Sequence, residues 1–279
     1  MSAIIDCRNL IKIHKQGSLE VVALQGLDFA MDEGEFISVV GKSGAGKSTL
    51  LRILAGLDVP SAGDVEVTGT DLTDITEKGL VTHYRRNVGF LWQDFTRNLL
   101  PYLKARENVE LPMLLAGVPS GRRKKRALAL LEAVGLRNHT YSKVHTMSGG
   151  EQQRLALCVA LALGPKLLLA DEPTGELDTE TSLEIYELLR RLNQEGGLSI
   201  LVVTHDVALA RRTDRVVRLA DGKTALPERR EATRVVVGAN GAIEVPRDLL
   251  VEAGIGENAH VRLVEDGILI EPVGDDHGA

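Results

Sequence analysis

The sequence predicts an α/β fold. A mainly parallel sheet with helices is flanked by an antiparallel β region, an inserted helical lobe and a small β-rich unit at the C-terminal end. Three observations carry this. The continuous apolar runs "EFISVV" (35–40), "KLLLAD" (166–171) and "SILVVTH" (199–205) have the length of strands buried on both faces. Between the last two lies a helical apolar period, Leu183, Ile185, Leu188, Leu189 and Leu192, stopped by Gly196 and Gly197. Strand, helix, strand in that order makes a parallel sheet. Third, the charge changes character near 227–233. Residues 1–231 hold 30 basic and 30 acidic groups, whereas 232–279 hold three basic ones (Arg234, Arg247, Arg262) and nine acidic.

Taken in order, residues 4–34 and 59–75 contain short alternating segments and turns such as "PSAGDVEVTGTDL", which read as antiparallel strands beside the main sheet. "EFISVV" leads into the glycine-rich "GKSGAGKS", then into the helical "TLLRILAGL" with Gly56 as its stop. Residues 97–164 carry no strand run of comparable strength and read as the helical lobe. The expected divisions are a domain at 1–228 with its helical part at about 97–164, a linker at 229–233, a small domain at 234–273 and a tail at 274–279.

Composition bounds the function. The 279 residues are 44% hydrophobic but only 3% aromatic, so the core must be aliphatic. Cys7 and Cys158 are far apart, which fits a reducing compartment and excludes a thiolate metal cluster. The N-terminal "MSAIIDCRNLIKIH" lacks a secretory apolar run. The longest apolar stretch, "LALCVALALGPKLLLA", is broken at Gly164, Pro165 and Lys166. A spanning helix needs roughly 18 apolar residues. The expectation is a soluble chain that meets a membrane only through a partner.

"GKSGAGKS", Gly41 to Ser48, fits G-x-x-x-x-G-K-[ST] between a strand and a helix. The backbone N–H groups of Gly41, Lys42, Ser43, Gly44, Ala45 and Gly46 can wrap phosphates, and the helix that begins there adds its dipole. Lys47 reaches the β/γ-phosphates, and the hydroxyls of Ser48 and Thr49 follow, Ser48 as a Mg²⁺ ligand. In "LLLADEP", Asp171 ends an apolar strand where a carboxylate holds Mg²⁺, directly or through water, and Glu172 is placed to deprotonate an attacking water. "MSGGEQQR", 147–154, is a second turn-to-helix anion site. One nucleotide pocket does not need two.

At this point the chain resembles the ATP-binding-cassette ATPases, a branch of the P-loop NTPases, over about residues 3–225. Their signature is matched by Ser148, Gly149, Gly150, Glu151 and Gln152. The resemblance implies ATP and Mg²⁺ as cofactors and a second copy of the chain whose signature closes over the ATP. Gln93 in "GFLWQDF" matches the loop that senses Mg²⁺ and contacts a transmembrane permease subunit. Asp178 in "TGELD" and His205 in "VVTHD" match the residues at the dimer contact and near the γ-phosphate. One position departs from the pattern: His14 stands where an aromatic residue usually stacks on adenine. Either the imidazole stacks there over less area, or His14 is a surface residue.

The stretch "NLLPYLKARENVELPMLLAGVP" is similar to the branch serving lipoprotein release, macrolide export and cell division, whose membrane subunit transmits motion across the membrane; amino-acid importers compete. That implies a cytoplasmic location, peripheral on the inner membrane face. A soluble cassette without a transporter, or a DNA-binding regulator with a degenerate cassette, are the other classes. The basic run Arg122 to Arg126 is a solvated helix start or a contact with anionic lipid or a partner.

The tail "GANGAIEVPRDLLVEAGIG" is similar to the AbrB/SpoVT swapped-hairpin domains through Gly241, Ile243, Val245, Pro246 and Gly254 to Gly256. In that family two chains interlock and many members bind DNA. Three basic against nine acidic groups argue against nucleic acid as a partner, because DNA binding needs phosphate neutralisation. A unit this small builds little core alone, so pairing with a second copy is the expectation.

Overall fold

A long hairpin opens the chain: β1 (Ala3–Gln16) pairs antiparallel with β2 (Leu19–Asp32). In the computed structural model, residues 3–16, 19–175 and 177–224 are described, and beyond them 236–237, 243–245, 250, 255, 259–264 and 267–272. β3 (Phe36–Val40) follows, then α1 (Lys47–Leu54), β4 (Ala62–Val67), β5 (Thr70–Asp71), α2 (Glu77–Arg86) and β6 (Val88–Leu91). The helical lobe holds α3 (Ala105–Leu115), α4 (Ser120–Ala133) and α5 (Gly149–Leu161), with short 3₁₀ turns between them. Then come β7 (Leu167–Asp171), α6 (Thr179–Gly196), β8 (Ser199–Thr204), the single turn α7 (Val207–Ala210), β9 (Arg215–Ala220) and β10 (Lys223–Thr224).

These strands form two sheets. The antiparallel sheet runs β2-β1-β4-β5, and the main sheet runs β10-β9-β3-β8-β7-β6. From β9 to β6 the neighbours are parallel, and β10 adds an antiparallel edge. The three apolar runs are thus adjacent strands, β3, β8 and β7, in which all residues are buried.

Why continuous apolar runs were needed is visible in the packing. On one face, Ile37, Val39, Leu167, Leu169, Leu201 and Val203 join α1 and the antiparallel sheet in one core. On the other, Phe36, Leu168, Ala170, Ile200 and Val202 join α5, α6 and the helical lobe. A strand covered on both sides cannot alternate apolar with polar. The periodic positions of α6 divide accordingly: Ile185, Leu188 and Leu189 are buried, and Leu183 and Leu192 pack partly buried against the same core.

Residues 77–91, where the sequence pattern points to no particular element, fold as α2 and β6. The chain divides into two compact units, Met1–Pro227 and Glu228–Ala279. In the second, β11 (Val236–Val237) pairs antiparallel with β12 (Ile243–Glu244), and β13 (Ala259–Val264) with β14 (Gly267–Pro272). The expected linker at 229–233, most of the helix read in "PRDLLVEAG" and the tail at 274–279 lie outside the described residues. Among the described residues, no helix is long and apolar enough to cross a membrane.

Candidate active site

The phosphate loop is built by the end of β3, the start of α1 and a bulge in β2. Lys12 pairs with Leu24 and Ile13 with Val22, so Ala23 is an extra residue in β2. Such a bulge re-aims the backbone. Here it brings the Ala23 carbonyl against Gly46: a Cβ on Gly46 would lie 2.4 Å from that oxygen. Gly46 also has φ +96°, in the left-handed region. Two independent constraints, close approach and backbone hand, therefore require glycine at this point of the motif.

Lys47 is buried, and its Nζ donates to the Gly41 carbonyl at 2.7 Å and the Lys42 carbonyl at 3.1 Å. The ammonium is thereby held across the loop rather than extended into solvent. Ser43 and Gly44 are exposed, while Ala45 and Gly46 are buried at the head of α1. Thr49 is half-buried one residue beyond Ser48.

Ser48 Oγ donates to Asp171 Oδ1 at 3.0 Å, so the helix after the loop meets the end of β7. Asp171 is only 7% exposed. Burial pushes its carboxyl above the ordinary value; the Ser48 hydroxyl and then the Lys47 charge oppose this, and the neighbouring Glu172 adds to it. A hydroxyl and a carboxylate side by side are hard oxygen donors. They fit Mg²⁺, which typically takes one or two protein oxygens and leaves the rest of its sphere to water and phosphate. Among the described residues, no group of three His, Cys, Asp or Glu side chains suited to a metal occurs.

Glu172 follows with φ +47°, a left-handed backbone for a non-glycine residue. That turn carries the carboxylate out of the strand direction. Its Oε2 lies 2.7 Å from His205 Nδ1 and accepts weakly from the His205 backbone N–H at 3.4 Å. The pair sets the His205 tautomer: Nδ1–H faces the carboxylate and Nε2 is left for another partner. His205 is 70% exposed at its side chain, Glu172 only 12%. Both line a cleft of about 330 Å³ with Gly175, Ser182, Thr204 and Arg212.

The signature residues form the N-terminus of α5. Ser148 Oγ accepts from the Glu151 N–H at 3.3 Å, and Glu151 Oε2 accepts from the Ser148 N–H at 2.9 Å. This reciprocal cap leaves the other N–H groups of the first turn available to an anion. Gly149 and Gly150 let that turn pack against the start of α6, where a Cβ on Gly150 would meet the Thr181 methyl at 2.7 Å. Asp178 caps α6, accepting from the Thr181 N–H at 2.9 Å and the Thr181 hydroxyl at 2.7 Å. Those bonds hold its carboxyl below the ordinary value.

Gln93 lies just after β6 and is exposed. His14 is half-buried on β1, directly opposite Val21 of β2. Gln153, which sequence reasoning missed, is 1% exposed and donates from Nε2 to the Pro173 carbonyl at 2.5 Å. It ties the signature helix to the residue after Glu172. A polar side chain on the inward face of α5 was the available signal. Thr181 was also missed, although D-x-x-T at a helix start is a readable cap.

The family model described as ABC transporter matches residues 24–175, from the bulge in β2 to the cleft beside Glu172. The chain belongs to the ABC transporter ATP-binding family. It is 40% identical over 225 residues to the lipoprotein-releasing system ATP-binding protein LolD of Pseudoalteromonas translucida, covering 81% of this chain and 96% of that one. It is 42% identical over 233 residues to the macrolide export ATP-binding/permease protein MacB of Rhodopirellula baltica, covering 83% of this chain but 34% of that longer protein. A solved structure of the ATP-binding cassette MJ0796, dimeric and in a post-hydrolysis state with ADP and Pi, is 38% identical with a TM-score of 0.72, covering 80% of this chain and 97% of that one. This ABC protein is therefore the ATP-binding, ATP-hydrolysing subunit of a membrane transporter, with the cassette fold of its relatives.

Proposed function

We propose that this ABC subunit drives a permease of the LolD and MacB kind, working as a nucleotide-sandwich dimer and transmitting ATP-driven motion rather than opening a channel. The observation that carries the catalytic reading is the Glu172–His205 pair at 2.7 Å, one residue beyond an Asp171 held by Ser48 at 3.0 Å. The loop Gly41 to Gly46 with Lys47 binds the phosphates of ATP through backbone N–H groups and the ammonium. Ser48, Asp171 and Gln93 hold Mg²⁺, which supplies neutralisation of phosphate charge. Glu172 accepts the proton of the attacking water, and His205, oriented by that carboxylate, faces the γ-phosphate through Nε2. Ser148 to Glu151 of a second copy complete the site, with Asp178 at the dimer contact. His14 stacks on the adenine.

The permease meets the chain at the groove lined by Tyr84, Phe90, Asn98, Leu111, Leu115 and Val159, which has a volume of about 350 Å³. Through that contact the chain sits at the inner membrane face. We assign residues 234–273 as a dimerising domain of the AbrB-like kind, because a unit this small builds little core alone and its acidic charge disfavours nucleic acid as the partner.

Glu172→Gln tests the reading. It keeps size and hydrogen-bonding capacity but removes the base, so hydrolysis should fall on the order of 100-fold or more while ATP still binds and the dimer accumulates. Steady-state phosphate release and sedimentation with ATP measure the two. Near-normal turnover in this variant rejects the assignment of Glu172.

A further inference from the structure

Gln93 is exposed, so what fixes it must lie in its neighbours. Two residues before the site, β6 ends as an edge strand of the main sheet. Beyond it the backbone N–H of Trp92 donates to Asn98 Oδ1 at 3.1 Å, and Asn98 Nδ2 donates to the Phe90 carbonyl at 2.8 Å. One planar amide thus pairs with a carbonyl and an N–H two residues apart on the same strand edge, as a neighbouring strand would. Only an amide has a donor and an acceptor so arranged, and this orientation alone satisfies both bonds.

The return path is equally fixed. Asp94 accepts from the Thr96 N–H at 3.0 Å and starts the 3₁₀ turn Phe95–Asn98 that delivers Asn98 back to the strand. The Arg97 guanidinium lies 4.0 Å over the Trp92 ring, and the Phe90 ring is 4.5 Å from it. Gln93 is therefore the second residue of a short closed loop whose clasp is the Asn98 side chain. Asn98 and Phe90 also line the groove between the core and the helical lobe. The clasp thus lines that groove and closes the loop that carries Gln93.

We infer that Asn98 is a positioning residue for Gln93, holding it at the nucleotide's cation. This rests on the Mg²⁺ role given to Gln93 above. Without the amide, the Phe90 carbonyl and Trp92 N–H lose their partners and Gln93 loses its fixed origin. A displacement of about 1 Å is enough to cost much of a catalytic contact.

Trp92 is the single tryptophan of the chain, so its fluorescence reports on this loop without reference to activity. The full-length protein and its Asn98→Ala, Asn98→Asp and Gln93→Ala variants are titrated with Mg²⁺ in the presence of a non-hydrolysable ATP analogue, following Trp92 emission. Hydrolysis is then measured against Mg²⁺ and against ATP. Asn98→Ala should shift the emission of the free protein and raise the half-maximal Mg²⁺ requirement by about threefold or more, with the KM for ATP held within about twofold. Combined with Gln93→Ala it should add nothing, because both act through one contact.

A folded Asn98→Ala variant with unchanged emission and unchanged Mg²⁺ requirement overturns the proposal. So does simple additivity with Gln93→Ala. Should Asn98→Ala fail to fold, Asn98→Asp, which keeps size and the acceptor but not the donor, is held to the same two measurements with the same outcomes. If Gln93→Ala leaves the Mg²⁺ requirement unchanged, the role of Gln93 falls, and the emission shift alone decides whether Asn98 sets the loop.

Discussion

At the scale of single residues, the site depends on a carboxylate placed where it is costly. Burial raises the Asp171 carboxyl above its ordinary value. Between the ordinary and the raised value, the folded chain binds the proton more tightly than the unfolded one, so stability falls as pH rises through that window. At neutral pH the ionised Asp171 therefore lowers the stability of the nucleotide-free chain. Asp171→Asn keeps an oxygen for the Ser48 hydroxyl and removes the charge. It should raise the unfolding temperature at pH 7.5, with the gain shrinking as pH falls toward the ordinary carboxylate range, and lower hydrolysis on the order of 100-fold. Calorimetry at two pH values checks this; equal unfolding temperatures at pH 7.5 contradict it. The residues read most directly from sequence were those contiguous in it: the phosphate loop and the Asp171–Glu172 pair. Asn98 and Gln153 were not, because their partners are the carbonyls of Phe90 and Pro173, and a carbonyl carries no residue type to recognise.

The same limit governs whole elements. Buried strands β3, β7 and β8 were legible because both faces demand apolar residues. Helix α2 was not, since His83 is its single buried residue and it presents no apolar stripe. Strand β6 spans only four residues at a sheet edge. The basic run at the start of α4 shows why a charge pattern underdetermines structure. Arg123 donates to the Val118 carbonyl at 2.6 Å, and Arg126 donates to the Ala162 and Leu161 carbonyls at 2.5 and 3.0 Å. Arg126 thus places a cation at the C-terminal end of α5, where the helix dipole favours it, and locks α4 to the signature helix. Arg126→Ala should destabilise the chain by about 1.5–3 kcal/mol, the range for hydrogen bonds to a charged group. The exposed Lys124 and Lys125 are different: replacing either by Ala should stay within about 0.5 kcal/mol. Urea unfolding of the three variants separates them, and equal losses would refute the division.

For the molecule as a whole, the described residues of both hydrophobic cores all precede 227. A chain ending at Pro227 should keep the main unfolding transition within about 2 °C, because it retains every described residue of both cores. Function should respond differently. A dimerising C-terminal unit makes closure of the two cassettes an event between tethered partners, which raises their effective concentration to roughly the millimolar range. Specific ATPase activity of the full chain should then survive dilution, while that of the shortened chain should fall as the dimer dissociates. Sedimentation without ATP should show a dimer for the full chain and a monomer for the shortened one. If the shortened chain is as dimeric as the full chain without nucleotide, the cassettes hold themselves together and the tether has no work to do. If both are monomeric and lose activity alike on dilution, the acidic unit binds something other than a second copy. In either case the tether reading is wrong, while the cassette fold and the roles of Glu172 and Asp171 stand on their own tests.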